Sequence, residues 1–309
     1  MATGPTRRQF LVSASLTGLA LASPGVFADA VGAESALLRS IPSSGERLPA
    51  IGMGTWITFN VGSDLALIRD RTEVLRVFFE RGGTLVDCSP MYGTSAEVLG
   101  HALDTLKARN RLFAATKIWT SDQSATRAQA EASRQKWGVA RFDLLQVHNL
   151  LQWQAHLEPL KAMKARGEVR YIGVTTSHGR RHDELAEIMA TEPLDFVQLT
   201  YNVLDREAEG ALLPLAQERG IAVIVNRPFL GGDLFRQFGS VSLPPWSRDA
   251  GMGTWAEFFL KFVISHPAIT CAIPATSQVA HMRENMAAMY GKLPDQALRQ
   301  RMVEYLESL

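Results

Sequence analysis

The sequence predicts an α/β protein built as a (β/α)8 barrel, or TIM barrel, with an N-terminal β-hairpin and an extra C-terminal helix. Eight short apolar runs alternate with eight helix-like segments after about residue 50, and most of their connections are short. The runs are continuously apolar, as expected for strands that are buried on both faces. A doubly wound open sheet is the competing architecture, but Gly52-Met-Gly54 matches its glycine-rich phosphate turn only weakly.

The predicted hairpin joins two short β runs, residues 37–41 and 48–51, around a Gly-containing turn. Arg81-Gly-Gly83 is typical of a helix end. Residues 227–245 form a Gly/Pro-rich excursion to which no element is assigned. Strands are predicted at residues 50–55, 84–88, 112–117, 142–147, 169–174, 196–199, 221–225 and 269–273. Helices are predicted at residues 67–80, 96–107, 124–137, 156–166, 181–190, 208–219, 254–265, 279–289 and 294–308.

The first thirty residues differ in character from the rest of the chain. The pair Arg7-Arg8 precedes an apolar stretch, residues 11–22, that is too short for a membrane span, and small residues suited to cleavage follow. This plan resembles a twin-arginine export signal, although a disordered basic leader is the alternative. We therefore predict a signal peptide at residues 1–30 and one barrel domain at residues 36–309. The protein is then expected to use the twin-arginine export machinery, to be periplasmic or otherwise exported, and to have no stable membrane insertion after processing.

Charge and cysteine content narrow the possible functions. The chain has 32 Lys and Arg residues against 31 Asp and Glu residues, so we expect no nucleic-acid partner. Cys88 and Cys271 have no metal-ligand spacing and fall in predicted strands that are not neighbours, so we interpret them as free thiols. No metal site is predicted. A barrel hydrolase or isomerase would need paired carboxylates or metal ligands at strand ends, and the sequence contains neither.

Four polar side chains stand at the carboxyl ends of three consecutive predicted strands. Asp87 ends the strand at residues 84–88, and Tyr92 follows it in a tight loop. Lys117 and His148 end the next two strands. Because the carboxyl ends of parallel barrel strands converge on one face, we expect the four side chains to form one site. Each residue alone is more simply explained as structural, but the combination favours catalysis.

The four groups suit the protonation of an oxygen that gains negative charge. The ordinary pKa of tyrosine is about 10, and a neighbouring lysine cation is expected to lower it. A carboxylate would keep that lysine charged, and a histidine would orient a carbonyl oxygen or help to relay the proton. Carbonyl reduction by hydride requires such a set. Since no side chain can supply hydride, the chemistry predicts a nicotinamide cofactor.

These motifs make the chain similar to the aldo-keto reductases over roughly residues 37–309. The resemblance implies an NAD(P)H-dependent oxidoreductase that reduces small aldehydes or ketones to alcohols. In it, Tyr92 is the general acid and Lys117 modulates its pKa, while Asp87 is the partner of the lysine and His148 orients the carbonyl. The motifs are Val86-Asp-Cys-Ser-Pro-Met-Tyr-Gly93, Thr116-Lys117, Gln146-Val-His148, Val197-Gln198, Ile273-Pro-Ala-Thr-Ser277 and Arg283-Glu-Asn285.

The same resemblance implies which residues hold the cofactor. Gln198 matches the family residue that holds the nicotinamide carboxamide, and residues 230–234 resemble the loop that covers the pyrophosphate. The helix N-terminus after the last strand is a favourable place for the adenosine phosphates. The implied set is Gly54, Thr55, Trp56, Thr175, Thr176, Gln198, Pro228, Leu230, Gly232, Thr276, Ser277, Gln278, Arg283, Glu284 and Asn285.

Three departures from the family pattern concern the cofactor. Many members hold the 2′-phosphate of NADPH with a lysine and an arginine where this chain has Ala275 and His281. The loss of both cations argues against NADPH, but related bacterial sequences resemble this one in having histidine there, so NADP(H) is still favoured as the cofactor, with NAD(H) possible. A Ser-Asn pair is replaced by Thr175-Thr176, and Asn226 stands where an aromatic ring usually stacks on the nicotinamide. Phe229 is the candidate replacement for that ring.

An apolar substrate pocket is expected from Trp56, Met91 and Trp119, which stand at predicted strand mouths. The loop after His148 is short and the chain stops just after its last helix, whereas long loops there narrow the pocket in the family. These features predict an open site with broad substrate tolerance. The competing function is a non-catalytic nucleotide-binding sensor or subunit with the same fold.

Overall fold

The computed structural model describes residues 35–309, and the predicted signal peptide at residues 1–30 lies outside them and stays a prediction. None of the helices in this part of the chain has the length and apolar character that a membrane span requires. The predicted hairpin is present, with β1 (Leu38–Ser40) paired antiparallel to β2 (Arg47–Pro49). Ile41 and Leu48 at its turn side are buried among the side chains inside the barrel.

The barrel consists of eight parallel strands that neighbour one another in sequence order. Bridges from Ile51 to Ala272 and from Gly54 to Ala275 join the first strand to the last, so the sheet closes and the (β/α)8 prediction is confirmed. Because all strands are parallel, their carboxyl ends lie on one face. The strands are β3 (Met53–Gly54), β4 (Leu85–Asp87), β5 (Phe113–Ile118), β6 (Phe142–Val147), β7 (Val169–Thr175), β8 (Phe196–Thr200), β9 (Ala222–Asn226) and β10 (Ile269–Ala272).

Ten α-helices are described within residues 35–309, and all nine predicted helices are among them. Polar caps determine where several of them begin: Asp64 accepts hydrogen bonds from the N–H groups of Ala66 and Leu67 at the start of the first helix. The helices are α1 (Leu65–Glu80), α2 (Ser95–Leu106), α3 (Thr126–Trp137), α4 (Trp153–Ala165), α5 (His182–Thr191), α6 (Leu212–Arg219), α7 (Asp233–Phe238), α8 (Trp255–Ile264), α9 (Val279–Ala287) and α10 (Gln296–Glu307).

Helix α7 was not predicted, because the excursion that contains it begins with a run of loop-forming residues. Gly231 and Gly232 turn the chain with φ angles of 70° and 97° just before the helix starts. Leu234 and Phe238 on α7 are buried, and the Phe238 ring packs 6.3 Å from that of Phe259 on α8. This short helix depends on packing against a distant segment, which its own six residues do not indicate.

The alternation of side chains along each strand divides the core into two layers. One set points into the barrel, including Phe113 on β5, Tyr171 on β7 and Phe196 on β8, whose rings stack on or meet one another. The other set packs beneath the helices. Towards the carboxyl ends, the inward positions change from apolar to polar, which places a polar layer above a closed apolar base.

Candidate active site

A cavity of about 790 Å³ opens at the carboxyl ends of the barrel strands. Asp87, Tyr92 and His148 line it, and Lys117 is buried against Asp87. The volume lies in the range of small-molecule sites. The four side chains that the sequence placed at separate strand ends therefore meet in one site.

Asp87 and Lys117 form a buried ion pair at the base of this site. The ammonium group of Lys117 also donates to the backbone oxygen of Cys88 at 3.0 Å. The other carboxylate oxygen of Asp87 accepts hydrogen bonds from the side-chain amides of Gln146 at 3.3 Å and Gln198 at 3.1 Å. Because a buried charge is costly without partners, these contacts hold both ions in fixed positions.

The loop that carries Tyr92 is fixed by its neighbours. Gly93 has a φ of 58°, and a Cβ there would lie 2.3 Å from the side-chain oxygen of Asn60, so a larger residue would not fit. Asn60 in turn accepts a hydrogen bond from the backbone N–H of Thr94 at 3.0 Å. The ring of Tyr92 lies 5.3 Å from the Lys117 ammonium and meets the ring of His148 edge-on at 5.9 Å.

His148 follows β6 and is held by a residue to which the sequence assigned no role. Its Nδ1 atom lies 2.8 Å from the hydroxyl oxygen of Ser89, which also accepts from the N–H of Met91. If the hydroxyl donates its proton to Nδ1, the proton of the imidazole lies on Nε2, where it can be donated to a carbonyl oxygen. Burial and the charge of Lys117 lower the pKa of His148 to about 2, so the ring is neutral near pH 7.

The protonation of Tyr92 differs from the expectation that Lys117 would lower its pKa below the ordinary value. Burial raises the pKa of Tyr92 to about 12, and the attraction of Lys117 offsets only part of this effect. The phenol is therefore protonated near pH 7, as a general acid must be. Burial acts to lower the pKa of Lys117, but the charge of Asp87 and the contribution of Tyr92 outweigh it, so this pKa is raised and the lysine is charged.

Most of the residues proposed to hold a cofactor line the same cavity. They come from the ends of β3, β7, β8, β9 and β10, whereas the four catalytic candidates come from β4, β5 and β6. The side chains of Leu230, Gln278 and Arg283 do not line it, and Arg283 is exposed on α9. The lining members are Gly54, Thr55, Trp56, Thr175, Thr176, Gln198, Pro228, Gly232, Thr276, Ser277, Glu284 and Asn285.

Two polar groups of this cofactor half show that it fits a polar ligand. The side-chain nitrogen of Asn285 is buried without a hydrogen-bond partner, and so is Nε of Arg227. Both residues line the cavity. Buried donors are usually satisfied, so unsatisfied donors on residues that line a cavity are suited to a ligand with acceptor oxygens. A nicotinamide dinucleotide carries such oxygens on its phosphates and riboses.

The end of β9 differs from the arrangement that the resemblance implied around the nicotinamide. Asn226, where an aromatic ring was expected, donates to the backbone oxygen of Thr176 at 2.8 Å and to the side-chain oxygen of Gln198 at 3.4 Å. Its own oxygen accepts from the hydroxyl of Thr200 at 2.7 Å. Phe229 does line the cavity, as proposed for the replacement ring, and packs 4.7 Å from the ring of Phe235.

The substrate residues are only partly brought together. Trp56 and Met91 line the cavity with exposed fractions of 44% and 39%, so the mouth is apolar and accessible to solvent. Trp119 is 41% exposed but lies outside the cavity lining. Cys88 and Cys271 are both free and buried. Residues 35–309 contain no group of three or more His, Cys, Asp or Glu side chains that would hold a metal ion.

The sequence analysis assigned no individual role to three polar residues of the site: Ser89, Gln146 and Arg227. Gln146 lies on β6, two residues before His148, and in a strand this two-residue spacing directs side chains to the same face. That spacing was a signal for Gln146. Ser89 and Arg227 lie beside strand ends, but nothing in the sequence indicates what each side chain contacts.

A search of protein-family models matches the aldo/keto reductase family over residues 50–301. The chain is 29% identical over 253 residues to the methylglyoxal reductase YeaE of Escherichia coli, an alignment that covers 78% of this chain and 86% of that protein. It is 25% identical over 322 aligned residues to an NADH-specific methylglyoxal reductase of Escherichia coli, with 84% and 96% of the two chains covered.

Solved structures give the same result for the fold. An aldo-keto reductase from Klebsiella pneumoniae, crystallised in complex with NADPH, is 26% identical to this chain and superimposes with a TM-score of 0.70. The alignment covers 85% of this chain and 92% of that one.

Proposed function

Because this chain belongs to the aldo/keto reductase family, we propose that it reduces the carbonyl group of a small aldehyde or ketone to an alcohol with a nicotinamide cofactor. The proposal rests above all on one observation: Tyr92 and His148 face the same cavity, and both lie beside the buried Asp87–Lys117 pair. When bound, the reduced nicotinamide supplies the hydride that no side chain can supply.

Each of the four residues has a distinct role in this proposal. Tyr92 is a protonated phenol and donates its proton to the carbonyl oxygen as negative charge develops there. Lys117 is charged, and its field favours the phenolate that remains. Asp87 holds Lys117 in place, and neutral His148 donates a hydrogen bond from Nε2 that orients the carbonyl oxygen.

NADP(H) is the favoured cofactor in this proposal, and NAD(H) is accepted as well. The NADPH complex of the Klebsiella pneumoniae protein supports the first choice, and the NADH-specific relative in Escherichia coli supports the second. Thr276 and Ser277, just before α9, would hold the adenosine part, with Asn285 on the helix itself. The substrate is proposed to be apolar near its carbonyl, because Trp56 and Met91 form that side of the cavity.

The main alternative is a nucleotide-binding sensor or subunit without catalysis. Consumption of NADPH with a reactive aromatic aldehyde by the full chain, compared with the Tyr92→Phe variant, distinguishes the two. We expect kcat to fall by about 10²- to 10⁴-fold, the range for loss of a general acid, while the Kd of NADPH stays nearly unchanged.

Tyr290→Phe is the matched control, because the hydroxyl of Tyr290 contacts the backbone oxygen of Arg81 and does not line the cavity. Binding of NADPH without turnover by the unmodified protein would favour the sensor. Turnover by Tyr92→Phe equal to that of the unmodified protein would exclude Tyr92 as the acid.

A further inference from the structure

Arg227 is the one arginine or lysine that lines the cavity among residues 35–309. It directly follows β9 and is half-buried. The acidic residues Asp87 and Glu284 and three histidines also line the cavity, but none of them provides a permanent positive charge. Any anionic group that enters this cavity therefore meets a single permanent cation on its wall.

The guanidinium of Arg227 has no acceptor in the described part of the chain. Its Nε atom is buried without a partner, and no carboxylate of residues 35–309 forms an ion pair with it. Other partly buried arginines differ: Arg170 pairs with Asp143 and Glu46, and Arg299 pairs with Glu209. A half-buried guanidinium without an acceptor is unfavourable in a protein, unless a ligand supplies one.

The backbone holds Arg227 in an unusual conformation that directs it towards the glycine turn. Its φ is 50°, in the left-handed region that arginine rarely adopts. Its carbonyl oxygen accepts from the N–H of Leu230 at 2.8 Å and from the side-chain amide of Asn202 at 3.3 Å. A Cβ on Gly231 would lie 3.3 Å from a terminal nitrogen of Arg227, so the guanidinium lies against that glycine. Unusual backbone angles of this kind are concentrated at ligand sites.

The position of Arg227 in the barrel indicates which anion it meets. It follows β9, and its charge acts on His178 and Asp205, which follow β7 and β8. Met91, on the apolar substrate side, follows β4, which is three strands away from β9 around the closed sheet. Arg227 therefore belongs to the half of the cavity where the cofactor is proposed to lie.

We propose that Arg227 binds the diphosphate bridge of the nicotinamide dinucleotide, an assignment that rests on the proposed function. The bridge carries two negative charges in NADH and in NADPH alike, and it offers paired oxygens that suit the planar guanidinium. Where many family members have a lysine and an arginine for the 2′-phosphate of NADPH, this chain has Ala275 and His281. Arg283 is outside the cavity lining. Arg227 thus serves a feature common to both cofactors and does not distinguish them.

The test is the Kd of NADH and of NADPH, measured by fluorescence titration of the full chain and of two variants. In Arg227→Gln both Kd values should rise by about 10- to 100-fold, the usual effect of losing hydrogen bonds to a charged group, and their ratio should change by less than about threefold. In Arg227→Lys both should rise less, because a single ammonium keeps the charge but not the paired hydrogen bonds.

Arg180→Gln is the matched control, since it removes the same charge from an exposed arginine near the mouth that does not line the cavity. Its Kd values should stay within about threefold of those of the unmodified protein. If both variants weaken binding equally, general charge and not contact is responsible, and the assignment is wrong.

Four further results would overturn the assignment. A rise in Kd for NADPH alone would place the 2′-phosphate at Arg227, and a rise in the KM of the carbonyl substrate alone would place a substrate anion there. Unchanged binding in folded Arg227→Gln would leave the guanidinium without a ligand role. If that variant does not fold, equal binding by Arg227→Lys and the unmodified protein decides against the assignment. Failure of the unmodified protein to bind either cofactor would instead contradict the proposed function itself.

Discussion

The two ends of the barrel differ in whether their charged and polar side chains have partners within the chain. At the amino end, Arg170 on β7 pairs with Asp143 on β6 and with Glu46 from the hairpin turn, and Glu46 also accepts from the hydroxyl of Tyr171 at 2.7 Å. The charged groups of this network all have partners within the chain. At the carboxyl end, Asp87 and Lys117 are paired, but Arg227 and Asn285 keep buried donors without partners.

The comparison shows how a structural polar network differs from a binding site on the same scaffold. Both ends use long-range contacts between strands to hold buried or half-buried polar groups. The amino end is covered by the hairpin, and the charged groups of the Arg170 network satisfy one another. The carboxyl end opens into a cavity, so a bound ligand can accept hydrogen bonds from donors that have no partner within the chain. We expect changes at the carboxyl end to affect activity, and changes at the amino end to affect stability alone.

The largest effect is expected from Lys117→Met at the carboxyl end. This change removes the cation beside Tyr92 and leaves the carboxylate of Asp87 buried without its ion-pair partner. We expect kcat to fall by at least about 10³-fold and the free energy of unfolding to fall by about 3–5 kcal/mol. Steady-state kinetics and urea denaturation measure the two effects.

The double variant Asp87→Asn with Lys117→Met separates stability from catalysis. It removes both charges, so most of the lost stability should return while activity stays absent. If the double variant is as unstable as Lys117→Met alone, the pair is not the reason for the loss. Full activity in either variant would contradict the assigned role of Lys117.

An intermediate effect is expected from His148 at acid pH. Its pKa is about 2 in the folded protein against an ordinary 6.5, so below pH 6.5 the unfolded chain binds a proton that the folded protein does not bind. The free energy of unfolding therefore falls as the pH falls. Between pH 7 and pH 5, this residue alone lowers it by about 2 kcal/mol.

His148→Asn should lose this dependence, because asparagine does not titrate. Urea denaturation of both proteins at pH 7 and pH 5 tests it, and the unmodified protein should lose about 2 kcal/mol more than the variant. Other titrating groups are common to both proteins and cancel in the difference. Parallel losses in the two proteins would show that His148 is not held neutral by burial.

The smallest effect is expected from Glu46→Gln at the amino end. The change weakens the contacts of Glu46 with Arg170 and Tyr171, which are partly exposed, so the free energy of unfolding should fall by about 1 kcal/mol. Steady-state kinetics should show kcat and KM unchanged, because the network lies at the other end of the barrel. Glu80→Gln is the control, since its pair with Arg76 is more exposed and should contribute less. A large fall in kcat would contradict the inference that changes at the amino end affect stability alone.

The catalytic candidates were predictable because the signals for them are local. Asp87, Lys117 and His148 each follow a continuously apolar run, and parallel strands bring such ends together whatever their side chains contact. The place of Gln146 in the site was also predictable from the sequence, because it precedes His148 by the two-residue period of a strand. The contact between Ser89 and His148 was not predictable from the sequence, since it joins two loops whose relative position depends on the whole barrel.

The amino-acid sequence by itself determined the barrel, the hairpin and the face that carries the site, because apolar periodicity and turn residues act over a few positions. The tertiary structure alone decided three other matters. It raised the pKa of Tyr92, because burial outweighs the neighbouring Lys117. It formed α7 by packing Phe238 against Phe259. It left Arg227 without a partner, because whether a charge finds an acceptor depends on residues brought together only when the barrel closes.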